Sequence, residues 1–177
     1  MMTETSGTPT AESPFWRFSL RFYARPKVAA ACLVLQDEAG ADVNLLLFLL
    51  FLAEQRRQLT GDDVLGLDRA VAAWREGVVK PLRDVRRALK TGIGEVPVAV
   101  SESFRGRLKR IELESERIEQ EWLERVAGSL GLGTQAPSRV AAAQQNLAAY
   151  AARLGGRAAE PLAMILSAFA MEPEDSS

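Results

Sequence analysis

The chain has 177 residues, of which 47% are hydrophobic and 25% are charged, and its formal net charge is −1. This composition is typical of one globular domain that can bury a real core, and the charge offers no global attraction for nucleic acid or anionic membranes. There is no histidine and one cysteine, Cys32, which excludes histidine-dependent catalytic triads, histidine-ligated zinc and disulfides within the chain.

The ends of the chain predict a cytoplasmic protein with short tails. Residues 1–12 have the composition of a disordered tail, and residues 172–177 form an acidic one. The N-terminus has neither the basic nor the apolar segment of a signal peptide. We expect a single all-α domain of about seven helices over residues 13–171, without a metal ion, a cofactor or a membrane span. Its parts are a main helical body at 13–130, a linker at 131–138 and C-terminal helices at 139–171.

The first predicted helix begins at Ser13 and Pro14, with serine as the N-cap and proline in the first turn. Phe15, Phe18 and Phe22 recur at helical spacing and predict an aromatic face that packs on the core. Arginines recur on the opposite side. They indicate a solvated face or, alternatively, a surface for a partner or for nucleic acid.

The most apolar stretch, residues 45–53, is predicted to be the central helix of the core. It has no polar face, and it is too short for a membrane span, which needs about 20 apolar residues. With the apolar run 28–35 it predicts a buried antiparallel hairpin over residues 27–57. Four polar residues cluster near the turn of this hairpin: Gln36, Asp37, Asp42 and Asn44. Capping and turn formation explain the cluster most simply, and a binding site for a small polar ligand is the alternative.

A basic stripe near Pro81, where a further helix begins, is the first of two candidate nucleic-acid surfaces. Its members are Lys80, Arg83, Arg86, Arg87 and Lys90. The second candidate is the basic cluster within residues 105–110. Neither matches a helix-turn-helix or another known binding module, and the net charge argues against extended contact with phosphates.

One long amphipathic helix is predicted from about residue 101 to residue 130. A narrow seam of the coiled-coil type runs along it in steps of three and four: Phe104, Leu108, Ile111, Ser115, Ile118, Trp122, Val126 and Leu130. Acidic residues are assigned to the outer face: Glu112, Glu114, Glu116, Glu119, Glu121 and Glu124. A helix of this length spans the domain, and its projecting end is a place for self-association.

A family resemblance is carried by sequence blocks spread over most of the chain. The blocks are Trp16 with Phe18-Ser19 and Tyr23, Cys32-Leu33-Val34-Leu35-Gln36-Asp37, Asp42-Val43-Asn44-Leu45-Leu46-Leu47-Phe48, Trp74, Pro81-Leu82-Arg83 with Arg86-Arg87 and Leu89-Lys90, and Ile111-Glu112-Leu113-Glu114 with Glu116-Arg117-Ile118-Glu119. Together they resemble a small proteobacterial family of uncharacterised cytoplasmic proteins over residues 15–126. The resemblance implies no activity and assigns no catalytic residue. It implies that the polar turn and the Pro-Leu-Arg helix are features shared by the members of this family.

Three functional hypotheses follow. The first is a non-enzymatic protein-binding or scaffold module that uses its helical surfaces for a protein partner or for a second copy of the chain. The second is nucleic-acid binding through the basic stripes, and the third is a small-ligand site or an unrecognised enzyme at the polar hairpin turn. No catalytic constellation is visible in the sequence, so a non-enzyme is favoured.

Overall fold

The computed structural model describes residues 13–154 and 158–171, and nearly all of the secondary structure in these ranges is helical. In chain order the elements are α1 (Pro14–Tyr23), α2 (Val28–Ala39), α3 (Val43–Glu54), β1 (Arg57–Gln58), α4 (Gly61–Trp74), α5 (Lys80–Thr91), α6 (Val98–Leu130), β2 (Thr134–Gln135), α7 (Arg139–Ala151) and α8 (Ala159–Ala170). A π-helical turn, Arg75–Val79, joins α4 directly to α5. The prediction of one all-helical domain is confirmed. The predicted tails at 1–12 and 172–177 lie outside the described residues.

The central helix α3 is buried around nearly its whole circumference, as its uninterrupted apolar run predicts. Its buried apolar residues are Leu45, Leu46, Leu47, Phe48, Leu49, Leu50, Leu52 and Ala53. The carboxylate of Asp42 caps the helix, accepting hydrogen bonds from the backbone N–H groups of Asn44 and Leu45 at 2.9 and 3.2 Å. Helices α1, α6 and α7 pack around α3. No helix in the described part of the chain has both the length and the apolar character needed to cross a membrane.

The other arm of the predicted hairpin, α2, is buried on one face. Val28, Cys32 and Leu35 are fully buried, whereas Leu33 is 46% and Val34 is 38% exposed. The buried face packs mainly against α8 at the C-terminal end of the domain. Burial raises the pKa of the Cys32 thiol to about 12, so this cysteine is an unreactive core side chain.

The predicted linker at 131–138 is held to the domain body by its pairing with β1. It contains β2, which pairs antiparallel with β1 in a two-stranded ribbon. The fully buried side chain of Asn146 on α7 holds the segment around β1, the other strand of this ribbon. Its Oδ1 atom accepts a hydrogen bond from the Leu59 N–H at 2.7 Å, and its Nδ2 atom donates to the carbonyls of Leu49 and Arg57 at 3.0 and 3.1 Å. The C-terminal helices therefore share the core of the main helical body.

Helix α6 buries a different face from the one that its apolar residues indicate. Four members of the predicted seam are 44–50% exposed, and we call them the exposed stripe: Phe104, Ile111, Ile118 and Trp122. The assignment of Glu112 and Glu119 to the outer face was wrong, since they are 5% and 1% exposed, and Glu116 is half-buried. Arginine and amide side chains of α3 and α5 meet these carboxylates. The polar face of α6 therefore points into the domain.

Candidate functional site

The inward polar face of α6 borders a cavity of about 390 Å³, which we call the main cavity. Helices α1, α2, α3 and α5 supply the rest of its wall. Its apolar side includes Trp16, Leu20, Tyr23, Leu33, Leu47 and Leu113. Its charged side consists of Arg83, Arg86, Arg87, Lys109, Glu112 and Glu116. An apolar wall that faces a small set of polar groups is the usual construction of a small-molecule site.

Helix α1 supplies the aromatic part of the wall. Ser13 begins the helix as its N-cap, where its Oγ atom accepts a hydrogen bond from the Trp16 N–H at 3.0 Å. The phenylalanines of α1 pack on the core. This packing turns the neighbouring face of the helix, with Trp16, Ser19 and Tyr23, toward the cavity. Burial raises the pKa of the Tyr23 hydroxyl. The Arg117 guanidinium lies over the Trp16 ring, 5.8 Å from its centre.

Ion pairs between α5 and α6 form the charged side of the main cavity. Arg83 donates to Glu116 at 2.8 Å and to Glu112 at 3.3 Å, while Arg86 donates to both oxygens of Glu112. Burial raises the pKa of Glu116, and the hydrogen bond from Arg83 opposes that rise. The hydrogen bond to Glu112 raises the pKa of Arg86. The buried carboxylates are therefore matched by guanidinium groups from a second helix.

A chain of buried hydrogen bonds crosses from α1 to α3 behind the cavity wall. The Ser19 hydroxyl donates to Gln120 at 3.1 Å, and the Gln120 amide donates to Asn44 at 2.9 Å. Asn44 in turn donates from its Nδ2 atom to Oε2 of Glu119 at 2.9 Å. Burial, followed by the negative charge of Asp42, raises the pKa of Glu119 to about 9. The side chain of Asp42 also hydrogen-bonds to this carboxyl group, which favours its neutral form because the O–H then has the Asp42 carboxylate as its acceptor.

A second cavity, of about 100 Å³, adjoins the main one, and we call it the small cavity. The two cavities share the side chains of Gln36, Asn44 and Arg83. Asp42, Arg75 and Glu119 are among the other residues that line the small cavity. The Arg75 guanidinium donates to Asp42 and to Asp68, each at 2.8 Å, and so fixes the position of the Asp42 carboxylate.

The structure brings three of the four predicted turn residues together. Gln36 and Asn44 line both cavities, and Asp42 lines the small one while it caps α3. Asp37 lies on the surface and lines neither cavity; it accepts a hydrogen bond from Gln36 at 3.2 Å and one from Arg87 at 2.8 Å. That hydrogen bond lowers the pKa of Asp37.

The predicted basic surface is largely neutralised within the molecule. Arg83 and Arg86 bind carboxylates of α6, Arg87 binds Asp37, and Lys80 pairs with Glu76 at 2.7 Å. These pairs interrupt the positive stripe that a nucleic-acid backbone would follow.

Several lining residues were not predicted as part of a site: Trp16, Ser19, Glu112, Glu116, Glu119 and Gln120. The sequence does indicate that the acidic ones share one face of the helix, because Glu112, Glu116 and Glu119 follow one another at intervals of four and three. Their spacing alone does not say whether that face turns inward. In the described residues, no group of three or more acidic or cysteine side chains is placed to hold a metal ion.

The comparison with protein families identifies one match. Residues 14–123 match the family described as a protein of unknown function (DUF2390). The matched segment is more than half of the chain, and it contains every residue that lines the two cavities. The resemblance to a small uncharacterised family is thereby confirmed. No curated protein and no solved structure matches the chain.

Proposed function

The chain belongs to the DUF2390 family of proteins of unknown function, and from its own residues we propose that it binds a small organic molecule in the main cavity. The observation that carries the proposal is the inward polar face of α6, which places paired charges beside an aromatic wall around an open space. Placing charged groups in a domain interior costs free energy, and pairing them recovers only part of that cost. Binding of a ligand would explain why the fold keeps these buried ion pairs beside the aromatic wall.

The dimensions of the main cavity suit such a ligand. Its volume of about 390 Å³ lies within the range of about 300–1,000 Å³ that is usual for small-molecule sites. Trp16, Leu20 and Tyr23 offer a flat apolar surface to a ring-sized body. We therefore propose a ligand with one or two rings.

The charges of the wall favour an anionic ligand over a cationic one. Four cationic side chains line the main cavity, against the two carboxylates of Glu112 and Glu116. Arg87 is paired with Asp37, so Lys109 is the side chain that adds positive charge beyond the pairs that Arg83 and Arg86 form. This imbalance attracts a carboxylate or another anion. We propose a cytoplasmic location for this binding, which the single buried thiol supports.

A cavity-filling variant tests the proposal. Ala24 is exposed at the end of α1 and lines the main cavity. Ala148, the control position, is also exposed, lies on α7 and lines neither cavity. Isothermal titration calorimetry with indole-3-acetate, indole-3-acetamide and tryptamine should detect binding of the acetate to the wild-type protein. Ala24→Phe should weaken it by about tenfold, equivalent to about 1.4 kcal/mol, and Ala148→Phe should leave it unchanged. Absence of binding by all three compounds, or equal effects of both variants, rejects the proposal.

A second candidate function, self-association, is favoured by the exposed stripe of α6. Phe104, Ile111 and Ile118 follow one another at intervals of seven residues, the spacing of a coiled-coil seam. In an antiparallel pair centred between Ile111 and Ile118, Arg107 of one copy would lie opposite Trp122 and beside Glu121 of the other, since each lies about one helical turn beyond the nearer isoleucine. This charge complementarity supports a second copy of the chain as the partner.

Sedimentation equilibrium distinguishes self-association from a purely monomeric protein. The wild-type chain should have twice the monomer mass of 19.3 kDa. Ile111→Lys should shift it to the monomer, whereas Val85→Lys, at a 46% exposed position of α5, should not. A wild-type monomer at high protein concentration contradicts this second candidate.

A further inference from the structure

The exposed stripe of α6 carries the two exposed aromatic side chains of the described residues. Phe104 is 49% exposed and Trp122 is 47% exposed. They lie 18 residues apart, which is about five turns of an α-helix, so both rings lie on the same side of α6. Their surroundings differ, because Trp122 borders a groove and Phe104 does not.

The groove lies between α4 and α6, and we call it the α4–α6 groove. Its volume is about 590 Å³. The small side chains of Ala70 and Ala73 on α4 leave this space, and the rings of Trp74 and Trp122 border it. The indole N–H of Trp74 donates to the Ser115 carbonyl at 2.9 Å, which fixes that ring in place. The walls of the groove are therefore largely apolar, and the fold itself holds them apart.

Phe104 cannot occupy the groove of its own chain. At 1.5 Å per residue, the 18 residues between Phe104 and Trp122 span about 27 Å of helix. The residues next to Phe104 on α6, such as Ser103, are also exposed. One molecule thus presents a projecting ring at one end of the exposed stripe and an open groove near the other end.

A second copy of the chain brings the ring and the groove together. In the antiparallel pair centred between Ile111 and Ile118, Phe104 of one copy lies at the level of residue 125 of the other. That level is less than one helical turn from Trp122, at the α4–α6 groove. Because such a pair has two-fold symmetry, the same contact forms twice and both grooves are filled.

The charged side chains at the rim of the groove suit the residues that accompany this ring. Arg125 lies at the rim and offers a cation–π contact to Phe104 of the second copy. Glu121 accepts a hydrogen bond from Arg117 of its own chain at 3.2 Å through Oε1, which leaves Oε2 to accept from Arg107 of the second copy. An aromatic ring followed by an arginine one helical turn later therefore fits this groove.

We propose that the α4–α6 groove of each copy binds the Phe104 ring of a second copy in an antiparallel dimer. The inference rests on self-association, the second candidate function, and it adds α4 to an interface that would otherwise consist of α6 alone. A phenylalanine ring buries about 150–250 Å² in such a contact, so the two symmetric contacts should account for much of the dimer affinity.

Substitutions of the ring and of the groove test the proposal, with sedimentation equilibrium measuring the dissociation constant of the dimer. Phe104→Ala removes the ring, and Ala73→Phe fills the groove from an exposed position of α4 that lies outside the stripe. Each should raise the dissociation constant by at least about tenfold, equivalent to about 1.4 kcal/mol. Ala148→Phe, at an exposed position of α7, should leave it within about twofold. Circular dichroism and the melting temperature of each variant verify its folding.

A double variant tests whether the two positions meet across the interface. If the ring occupies the groove, either substitution alone abolishes the contact and the other has little left to remove. The dissociation constant of Phe104→Ala combined with Ala73→Phe should therefore lie within about threefold of that of the weaker single variant. Multiplicative effects, about a hundredfold in total, would show that the two positions act independently and would overturn the inference.

The outcomes separate this inference from self-association itself. If Ile111→Lys dissociates the wild-type dimer while Ala73→Phe leaves its dissociation constant unchanged, the exposed stripe alone forms the interface and the groove assignment is wrong. If the wild-type chain stays a monomer at high protein concentration, the second candidate function and this inference both fail.

Discussion

Asn44 and Glu119 are joined by a hydrogen bond of 2.9 Å between Nδ2 and Oε2, although they lie 75 positions apart in the chain. The bond connects the first turn of the central helix α3 to the middle of the long helix α6. Both residues also line the small cavity. One contact thus links the packing of the core to the chemistry of the candidate site.

Glu119 should make the stability of the protein depend on pH. Its pKa is raised from 4.5 to about 9 in the folded state, so between these values the folded protein binds more protons than the unfolded chain. The free energy of unfolding should therefore fall as the pH rises through this window, by up to about 1.4 kcal/mol per pH unit for one proton. Glu119→Gln should flatten the slope measured by urea denaturation between about pH 5.5 and about pH 8.

The same measurement has an internal control. Glu116 also has a raised pKa, so a smaller slope of the same sign should persist in Glu119→Gln. Identical slopes in the wild-type protein and the variant would mean that Glu119 is ionised at neutral pH.

Asn146 should be one of the most sensitive positions for folding. Its side chain is fully buried, and Asn146→Ala would leave the Leu59 N–H and the Arg57 carbonyl without their partner. We expect a loss of about 2–4 kcal/mol, since each unsatisfied buried group costs about 1–3 kcal/mol. Chemical denaturation measures this, with the exposed neighbour variant Gln145→Ala as the control. A loss below about 0.5 kcal/mol, typical of a surface substitution, would contradict the role assigned to this amide.

Nucleic-acid binding should be weak, because the basic stripe is engaged in internal ion pairs. We expect fluorescence anisotropy with a labelled DNA duplex to give a dissociation constant no tighter than about 10 µM in about 50 mM salt, close to non-specific binding. A tighter constant with a steep dependence on salt would restore the basic stripe, including Arg87 and Lys90, as an interface.

The parts of the fold that depend on local chemistry could be predicted from the sequence. The run at 45–53 has no polar face, so its helix had to be buried, and Ser13 and Asp42 cap helices as expected. The inward face of α6 could not be predicted in the same way. Ile111 and Glu112 are neighbours on the helix, and which one turns inward depends on Arg83 and Arg86, residues of another helix.

The candidate site, too, could be predicted from the sequence only in part. The sequence predicts Gln36, Asp42 and Asn44 as a cluster because these polar residues lie between apolar runs. In the structure they line the cavities. Glu119 could not be predicted as a site residue, because it lies among many other charged residues of a helix whose acidic face is expected to be exposed. Its distinction is its burial beside the Asp42 carboxylate, a residue of another helix, which no sequence spacing reveals.

The π-helical turn at Arg75–Val79 has a consequence for how the chain tolerates changes in length. A π-turn holds one residue more than an α-helical turn. Because the wider turn absorbs that residue, deleting one residue there would let α4 run into α5 as a regular helix in nearly the same rotational phase, whereas deleting two would rotate α5 by about 100° relative to α6. Arg83 and Arg86 would then lose their carboxylates together. The spacing across this turn therefore sets the rotational phase of α5, and with it the charge pattern of the cavity wall.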